Sequence, residues 1–526
     1  MHLMIKKNTY MKQLIFILSF FTLTTGFSQD IKFNIDAPDT SIFMARYFGK
    51  QLYYADTAEL VNGTVVFDGS KHRGGLYALL LPNGKPFDFI IDGEPAVELT
   101  VTDMENPTPT MEVVKSANNQ LFFDYMKFTG KQREKANALG QKLQAAQTEK
   151  EKDKLKAEYQ KINEKVRNYQ QDLVEKNSEK FVAVMIKMSL DIDLPDHPRD
   201  EEGNITDSNY VYHYYLNHFW DNVDLKDYRV VNTPVFHNKL EKYFVKKSAF
   251  VIPDSICVYA KKLIDKTDQE DETNKVFQYI VHHVTNKYET MQIVGMDKVF
   301  HFMATNYYCP PNAKAYWVPE ENLQKICDRR DKIGRTLIGN PAIPLILADS
   351  TENNWINFYD LDGDYTVLYF WDPHCGHCKK TTPKLQTLYE EKFKERNVPI
   401  YAVGKASGDD FEDWKKFIRD HNLEFVNVGV TDSIYQIVTD SSVAARAKTY
   451  NLLQNHTTAQ SLKYAETYDV YSTPKIFILD KDGIILFKQI SIGQLEEIID
   501  KLTGHENDEK LFPVSDPENA AQPLDE

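Results

Sequence analysis

Trp371-Asp372-Pro373-His374-Cys375-Gly376-His377-Cys378-Lys379-Lys380 ends an apolar run, Val367 to Trp371, and opens an amphipathic stretch marked by Leu385 and Leu388. The run reads as a buried strand and the stretch as a helix, so a Cys-x-x-Cys pair sits at a strand-to-helix junction. Unpaired backbone N–H groups and the positive end of the helix dipole stabilise an anion there, which makes Cys375 the expected thiolate. A free cysteine has a pKa near ~8.5, and such motifs lower it to roughly 3.5 to 7.5, at about 1.4 kcal/mol per unit. Cys378 falls one turn into the helix, shielded yet close enough to bond Cys375, which suits a resolving thiol. His377 between the cysteines and His374 before them are candidates for modulating the thiolate, with a merely exposed flank as the plainer reading of His374.

Other cysteine chemistries fit less well. A zinc ribbon wants a second cysteine pair, which is missing, and attached haem wants a histidine after Cys378, where Lys379 stands. A peroxiredoxin wants threonine three positions before its reactive cysteine, where Asp372 stands. His282 and His283 are adjacent and His213 and His218 five apart, so neither pair converges as zinc ligands at i, i+4 would. No metal or cofactor is expected.

Over roughly residues 339 to 505 the chain resembles the thioredoxin superfamily and, within it, the TlpA/ResA-like periplasmic thiol:disulfide oxidoreductases. Trp371 stands four before the first cysteine and Pro383 five after the second, while Tyr471-Ser472-Thr473-Pro474 followed by Ile476 to Asp480 matches the late proline loop and its strand. The resemblance implies that Pro474 is cis and faces the cysteines, that Thr473 offers backbone hydrogen bonds to an extended peptide, and that Trp371 belongs to the substrate-binding surface. Strand candidates are Ile343 to Leu347, Ile356 to Tyr359 and Ile484 to Lys488, the last entered through an Asp482-Gly483 turn, with a final helix from Ile492 to Leu502. Two departures stand out: thioredoxin has a buried aspartate six before the first cysteine, where this chain has Tyr369, and ResA-like members often have glutamate three after the second, where it has Thr381. Deprotonation of Cys378 therefore lacks its usual carboxylate. The segment Ser433 to Glu466 exceeds a minimal thioredoxin fold and is expected to form an extra helix or lid.

The implied reaction is attack by Cys375 on a substrate disulfide, a mixed disulfide, and resolution by Cys378. Potentials of this motif class run from about −270 to −120 mV, so the pattern does not choose a direction. The resemblance favours a reductase fed by a membrane or periplasmic electron donor, and the histidine between the cysteines favours the oxidising side. The competing function is a binding scaffold that uses the same fold, which would need neither Cys375, Cys378 nor Pro474.

Outward from this region, 526 residues exceed one ordinary core and call for several domains. The whole reads as a multidomain chain: an N-terminal antiparallel β-sandwich, a central all-α helical domain and a C-terminal α/β thioredoxin fold. A net charge of −15 with no basic stripe argues against nucleic acid as a partner. Residues 1–28 carry Lys6, Lys7 and Lys12, the apolar run Leu14 to Leu23 and Gly26-Phe27-Ser28, the layout of a secretory signal peptide with cleavage near Ser28. That run is half of the ~20 residues a membrane helix needs, so a soluble mature protein is expected; with the signal-peptide layout, the resemblance implies a periplasmic protein acting on disulfide-containing exported proteins.

Residues 29–105 alternate short apolar stretches with turns, including Ile31, Phe33 and Ile35, Asn62-Gly63 before Val65 to Phe67, Gly75 to Leu81, and Val97, Leu99 and Val101, which gives the sandwich. They resemble a β-domain of unknown function often found ahead of exported thioredoxin-like proteins. Asn106-Pro107-Thr108-Pro109 reads as a linker. Residues 117–338 read as the helical domain: from Asn118 onward proline nearly vanishes, and Leu155, Tyr159, Ile162, Val166, Tyr169 and Leu173 form an a/d seam; Leu139 and Leu143 supply the other face of a helical hairpin turning through Thr148 to Lys154, with a dimeric coiled coil as the alternative. The aromatics Tyr210, Tyr212, Tyr214, Tyr215, Phe219 and Trp220 read as core. Cys257, Cys309 and Cys327 read as isolated buried thiols, with a Cys309–Cys327 bridge as the alternative. The acidic stretch 506–526, broken by Pro513, Pro517 and Pro523, reads as disordered.

Overall fold

The computed structural model describes residues 29–244, 252–291, 293–408 and 410–519. The signal-peptide reading of 1–28 and the last residues of the acidic tail lie outside them. Among the described residues no helix is long and apolar enough to cross a membrane. The chain packs as two compact units, one of residues up to Leu194 together with Arg229–His237, the other of Pro195–Tyr228 and Asn238 onward.

The first unit holds two four-stranded sheets. One has the order β4-β1-β7-β8, from Thr64–Asp68, Asp30–Ile35, Ala96–Val101 and Glu112–Lys115; the other has β3-β2-β5-β6, from Gln51–Leu60, Thr40–Phe48, Gly75–Leu80 and Pro86–Ile91. Ile31, Phe33 and Ile35 alternate inward and meet Val97, Leu99 and Val101 in one core, as a period of two dictates. The expected antiparallel sandwich is in fact mixed, because β1 pairs with β7 in parallel. The chain builds the whole second sheet between them, and β7 returns along β1 in the same direction. Just past the expected linker, buried Met111 precedes β8, which pairs with β7 and extends the sheet beyond residue 105.

Helices Ala117–Ala145 and Glu149–Lys176 form the expected hairpin, with the Phe128 and Tyr169 rings stacked at 4.1 Å. Its turn is shorter than expected. The Thr148 side chain caps the N–H of Glu151, so the charged stretch Glu149 to Lys154 is already helix, with Glu149 and Glu151 at the positive end of its dipole. Phe122, Phe123, Leu173 and Phe181 join the sandwich core. The Asn119 amide exchanges two 2.8 Å hydrogen bonds with the backbone of Ile90, closing off the edge of β6. The helical stretch 117–338, read as one domain, is thus divided between the two units.

In the second unit, Cys309 and Cys327 form a disulfide with Cα atoms 5.7 Å apart, so they are not isolated thiols. Cys309 ends a π-helical turn and Cys327 lies on the helix Glu320–Arg335, which folds back past it. Cys257 is a buried free thiol. Phe219 and Trp220 are core residues as read, whereas Tyr210 and Tyr212 are exposed.

The seven-stranded sheet of this unit has the order β10-β9-β13-β12-β11-β14-β15, from Trp355–Asn357, Ile346–Asp349, Val426–Gly429, Ile400–Gly404, Tyr365–Trp371, Lys475–Asp480 and Ile485–Lys488. β11 lies inside it, parallel to β12 and antiparallel to β14. Both faces are covered, hence the unbroken apolar run: Val367, Tyr369 and Trp371 enter one core, Leu368 and Phe370 the other. The expected insertion is helical, over Asp432–Thr439 and Val443–Asn455.

Residues 506–519, read as disordered, instead lie along the final helix, Ile492–Leu502. Buried Glu496 accepts the N–H groups of Leu511 and Phe512 at 2.8 and 2.7 Å, and Gly493 donates to Asn519 O at 3.2 Å. Phe512 packs against the core, which composition alone does not reveal.

Candidate active site

β11 ends at Trp371, and Asp372 turns the chain by accepting the N–H of His374 on its carboxylate at 2.7 Å and that of Cys375 on its carbonyl at 3.1 Å. Cys375 is the N-cap residue of the helix Gly376–Leu388. Its sulfur faces the open N–H groups of the first turn. Partial burial raises the thiol's pKa, and the N–H groups of Cys378 and His377 and the Thr473 and Cys378 side chains more than offset this, leaving it below the ordinary value. Cys378 is fully buried and is pushed up to about 12, chiefly by burial. Half-exposed and activated, then buried and protonated, the two thiols occupy unlike environments.

The Thr473–Pro474 peptide is cis, as the resemblance implies. The Thr473 carbonyl accepts from Cys375 Sγ at 3.1 Å, and the Thr473 side chain favours the ionised form of both cysteines. Thr473 and Pro474 are partly exposed, and Tyr471 just before them is 73% exposed, so this loop can meet an extended peptide. Lys332, on Glu320–Arg335, donates to Tyr471 Oη at 3.0 Å.

Trp371 is placed differently from the expectation. It is only 1% exposed and packs on Phe417 at 5.1 Å, inside the core beneath the motif. It supports the loop and offers no surface to a substrate. His374 Nε2 lies 3.1 Å from Asp410 and 3.2 Å from Asp413, so the ring is turned to two carboxylates. His377 is exposed, and its contribution to Cys375 comes through the backbone.

Sequence reasoning missed Thr382. It follows Cys378 by four positions and so shares its helix face, and its hydroxyl lies 2.7 Å from that of Tyr369, both fully buried. The i, i+4 spacing was the available signal.

Residues 338–488 match the AhpC/TSA family. The chain is 28% identical over 170 residues to the thiol-disulfide oxidoreductase ResA of Bacillus cereus, covering 32% of this chain and 79% of that protein. Among solved structures it is similar to a domain of possible thiol-disulfide isomerase from Cytophaga hutchinsonii, at 31% identity and a TM-score of 0.24, covering 32% of this chain and 94% of that one. A thioredoxin-like protein from Bacteroides caccae is similar at 19% identity and a TM-score of 0.39, covering 59% of this chain and 97% of that one.

Proposed function

The C-terminal region of this chain is a TlpA/ResA-like thioredoxin-superfamily domain of the thiol-disulfide oxidoreductase class, and from that premise we propose that the protein exchanges disulfides with exported protein substrates through Cys375 and Cys378, as a reductase outside the cytoplasm. The observation that carries this reading is the opposed environment of the two thiols, one lowered at a helix mouth and one raised by burial directly beneath it.

In this mechanism the Cys375 thiolate attacks a substrate disulfide, forming a Cys375–substrate bond and expelling the other substrate sulfur as a thiolate. Cys378 then loses its proton and attacks Cys375 Sγ. The Cys375–Cys378 bond forms, the mixed disulfide breaks, and the departing substrate sulfur takes the electron pair and a proton. The substrate gains two electrons and the enzyme dithiol becomes a disulfide, to be reduced by a membrane or periplasmic electron donor. The helix mouth stabilises the attacking and re-formed Cys375 thiolate, and the Thr473–Pro474 loop holds the peptide across it.

The test is insulin reduction by the purified protein with dithiothreitol as donor. Turnover that disappears in Cys375→Ser supports the reading. Wild-type protein without turnover under reducing or oxidising partners would leave a binding scaffold.

A further inference from the structure

We propose that the buried Tyr369–Thr382 hydroxyl pair serves the resolving sulfur Cys378, donating a hydrogen bond to it as it becomes a thiolate. The inference rests on the reading of Cys375 and Cys378 as a redox pair.

Cys378 must shed its proton inside an apolar environment. Its cluster consists of Val367, Trp371, Leu385, Leu388, Ile476 and further apolar side chains, with Tyr369 among them. An isolated thiolate there is costly unless a donor meets it. Tyr369 reaches this place because strand alternation puts it on the face of β11 that the motif helix covers, beneath the cysteines. Its hydroxyl lies 2.7 Å from that of Thr382, and Tyr369 shares one buried cluster with Cys378, whose sulfur, after burial, helps to raise the phenol's pKa. Both hydroxyls are 0% exposed, so water does not compete for them.

The chemistry of the pair limits its role. Burial holds the Tyr369 phenol well above its ordinary value, so it stays protonated and cannot take the Cys378 proton. A threonine hydroxyl cannot either. A phenol between two partners can nevertheless redirect its hydrogen. With Cys378 as a thiol, Tyr369 can donate to Thr382; as the thiolate forms, Tyr369 turns its O–H to sulfur and Thr382 donates to the phenol oxygen. No proton is transferred within the pair. The Cys378 proton leaves on the substrate side, with the departing sulfur. A carboxylate at the Tyr369 position would hold the proton itself; the hydroxyl pair stabilises the anion and leaves proton disposal to the substrate.

The experiment uses the full-length reduced protein and 5,5′-dithiobis(2-nitrobenzoic acid), which releases one coloured thiolate when Cys375 attacks and a second when Cys378 resolves. Y369F keeps the ring and removes the donor; T382V keeps the shape and removes its support. Loss of a hydrogen bond to a charged group slows the step by about ten- to a hundredfold. The second phase is expected to slow by this factor in Y369F and less in T382V, the first phase keeping its wild-type rate. In a Cys375→Ser background, the pH midpoint for alkylating Cys378 rises in Y369F, which a merely structural role would not cause. A second phase unchanged in Y369F, or unchanged in T382V should Y369F not fold, overturns the proposal. Wild-type protein lacking any second phase instead overturns the redox-pair reading on which it stands.

Discussion

The sulfur of Cys375 lies 3.1 Å from the carbonyl oxygen of Thr473, across 98 residues of sequence. The cysteine comes from the end of an interior strand, and the carbonyl from the loop entering the strand paired beside it. β11 and β14 thus hold both halves of the site in fixed register. The carbonyl suits a thiol donor, and the neighbouring Thr473 hydroxyl suits a thiolate.

This asymmetry sets what each cysteine does when removed. Cys375→Ser is expected to lose turnover altogether, as no thiolate forms at the helix mouth. Cys378→Ser should retain the first attack and accumulate a mixed disulfide. Mass spectrometry of the reaction with a disulfide peptide, quenched in acid, checks this, and equal labelling of the two variants would contradict it.

Alkylation should separate the thiols by pH. Cys378 is pushed up to about 12 and Cys375 is held below the ordinary cysteine value of about 8.5, a gap of roughly three units or more. Near neutrality their thiolate fractions should differ by about a thousandfold or more. A brief iodoacetamide pulse on reduced protein, read by peptide mapping, should mark Cys375 and leave Cys378 unmodified. The linkage follows from the signs. Cys378, raised on folding, contributes stability that is complete below about 9 and is lost as pH climbs towards about 12. The stability difference between reduced wild type and Cys378→Ala should therefore change in that alkaline window.

Lys392 Nζ lies 2.5 Å from Glu496 and 3.1 Å from Asp500, and both carboxylates are fully buried. Lys392→Met leaves Glu496 without a cation while Asp500 keeps Arg396 and Lys510. Breaking a buried pair on one side costs roughly 3–5 kcal/mol, and the remaining partners put this case near the lower end. Thermal unfolding should register the loss. Limited proteolysis should at the same time open 506–519, because Glu496 also holds Leu511 and Phe512.

Removing the Cys309–Cys327 bridge with paired alanines should cost about 3 kcal/mol, the usual figure for so short a loop. Thermal unfolding of the variant beside the oxidised wild type measures it. Equal midpoints would mean that the bridge adds nothing to stability.

Features written in contiguous residues were legible. The strand, the Cys-x-x-Cys turn, the helix and the Asn62-Gly63 turn, with both residues at positive φ, could be read directly. The insertion declared itself by length. Pairings made by the fold were not legible: β1 beside β7, Tyr369 with Thr382, His374 with Asp410 and Asp413. Trp371 was misplaced because a motif position does not say where the ring packs, and both faces of β11 are covered, so either direction leads into a core. Nor does an eighteen-residue separation announce a disulfide. The acidic tail misled because its composition hides two residues, Leu511 and Phe512, whose backbone completes the hydrogen bonding of buried Glu496.

The chain leaves its first compact unit after Leu194, returns for Arg229–His237 and leaves again. During synthesis, the N-terminal body therefore remains without its last piece until that segment emerges from the ribosome, by which time part of the second body has already been made. A single cut near residue 195 does not yield two finished halves: it strips Arg229, and with it the 2.9 Å ion pair to Asp92, from the body it completes. Any attempt to trade the thioredoxin-like end between relatives must move the junction past His237 or carry that segment along.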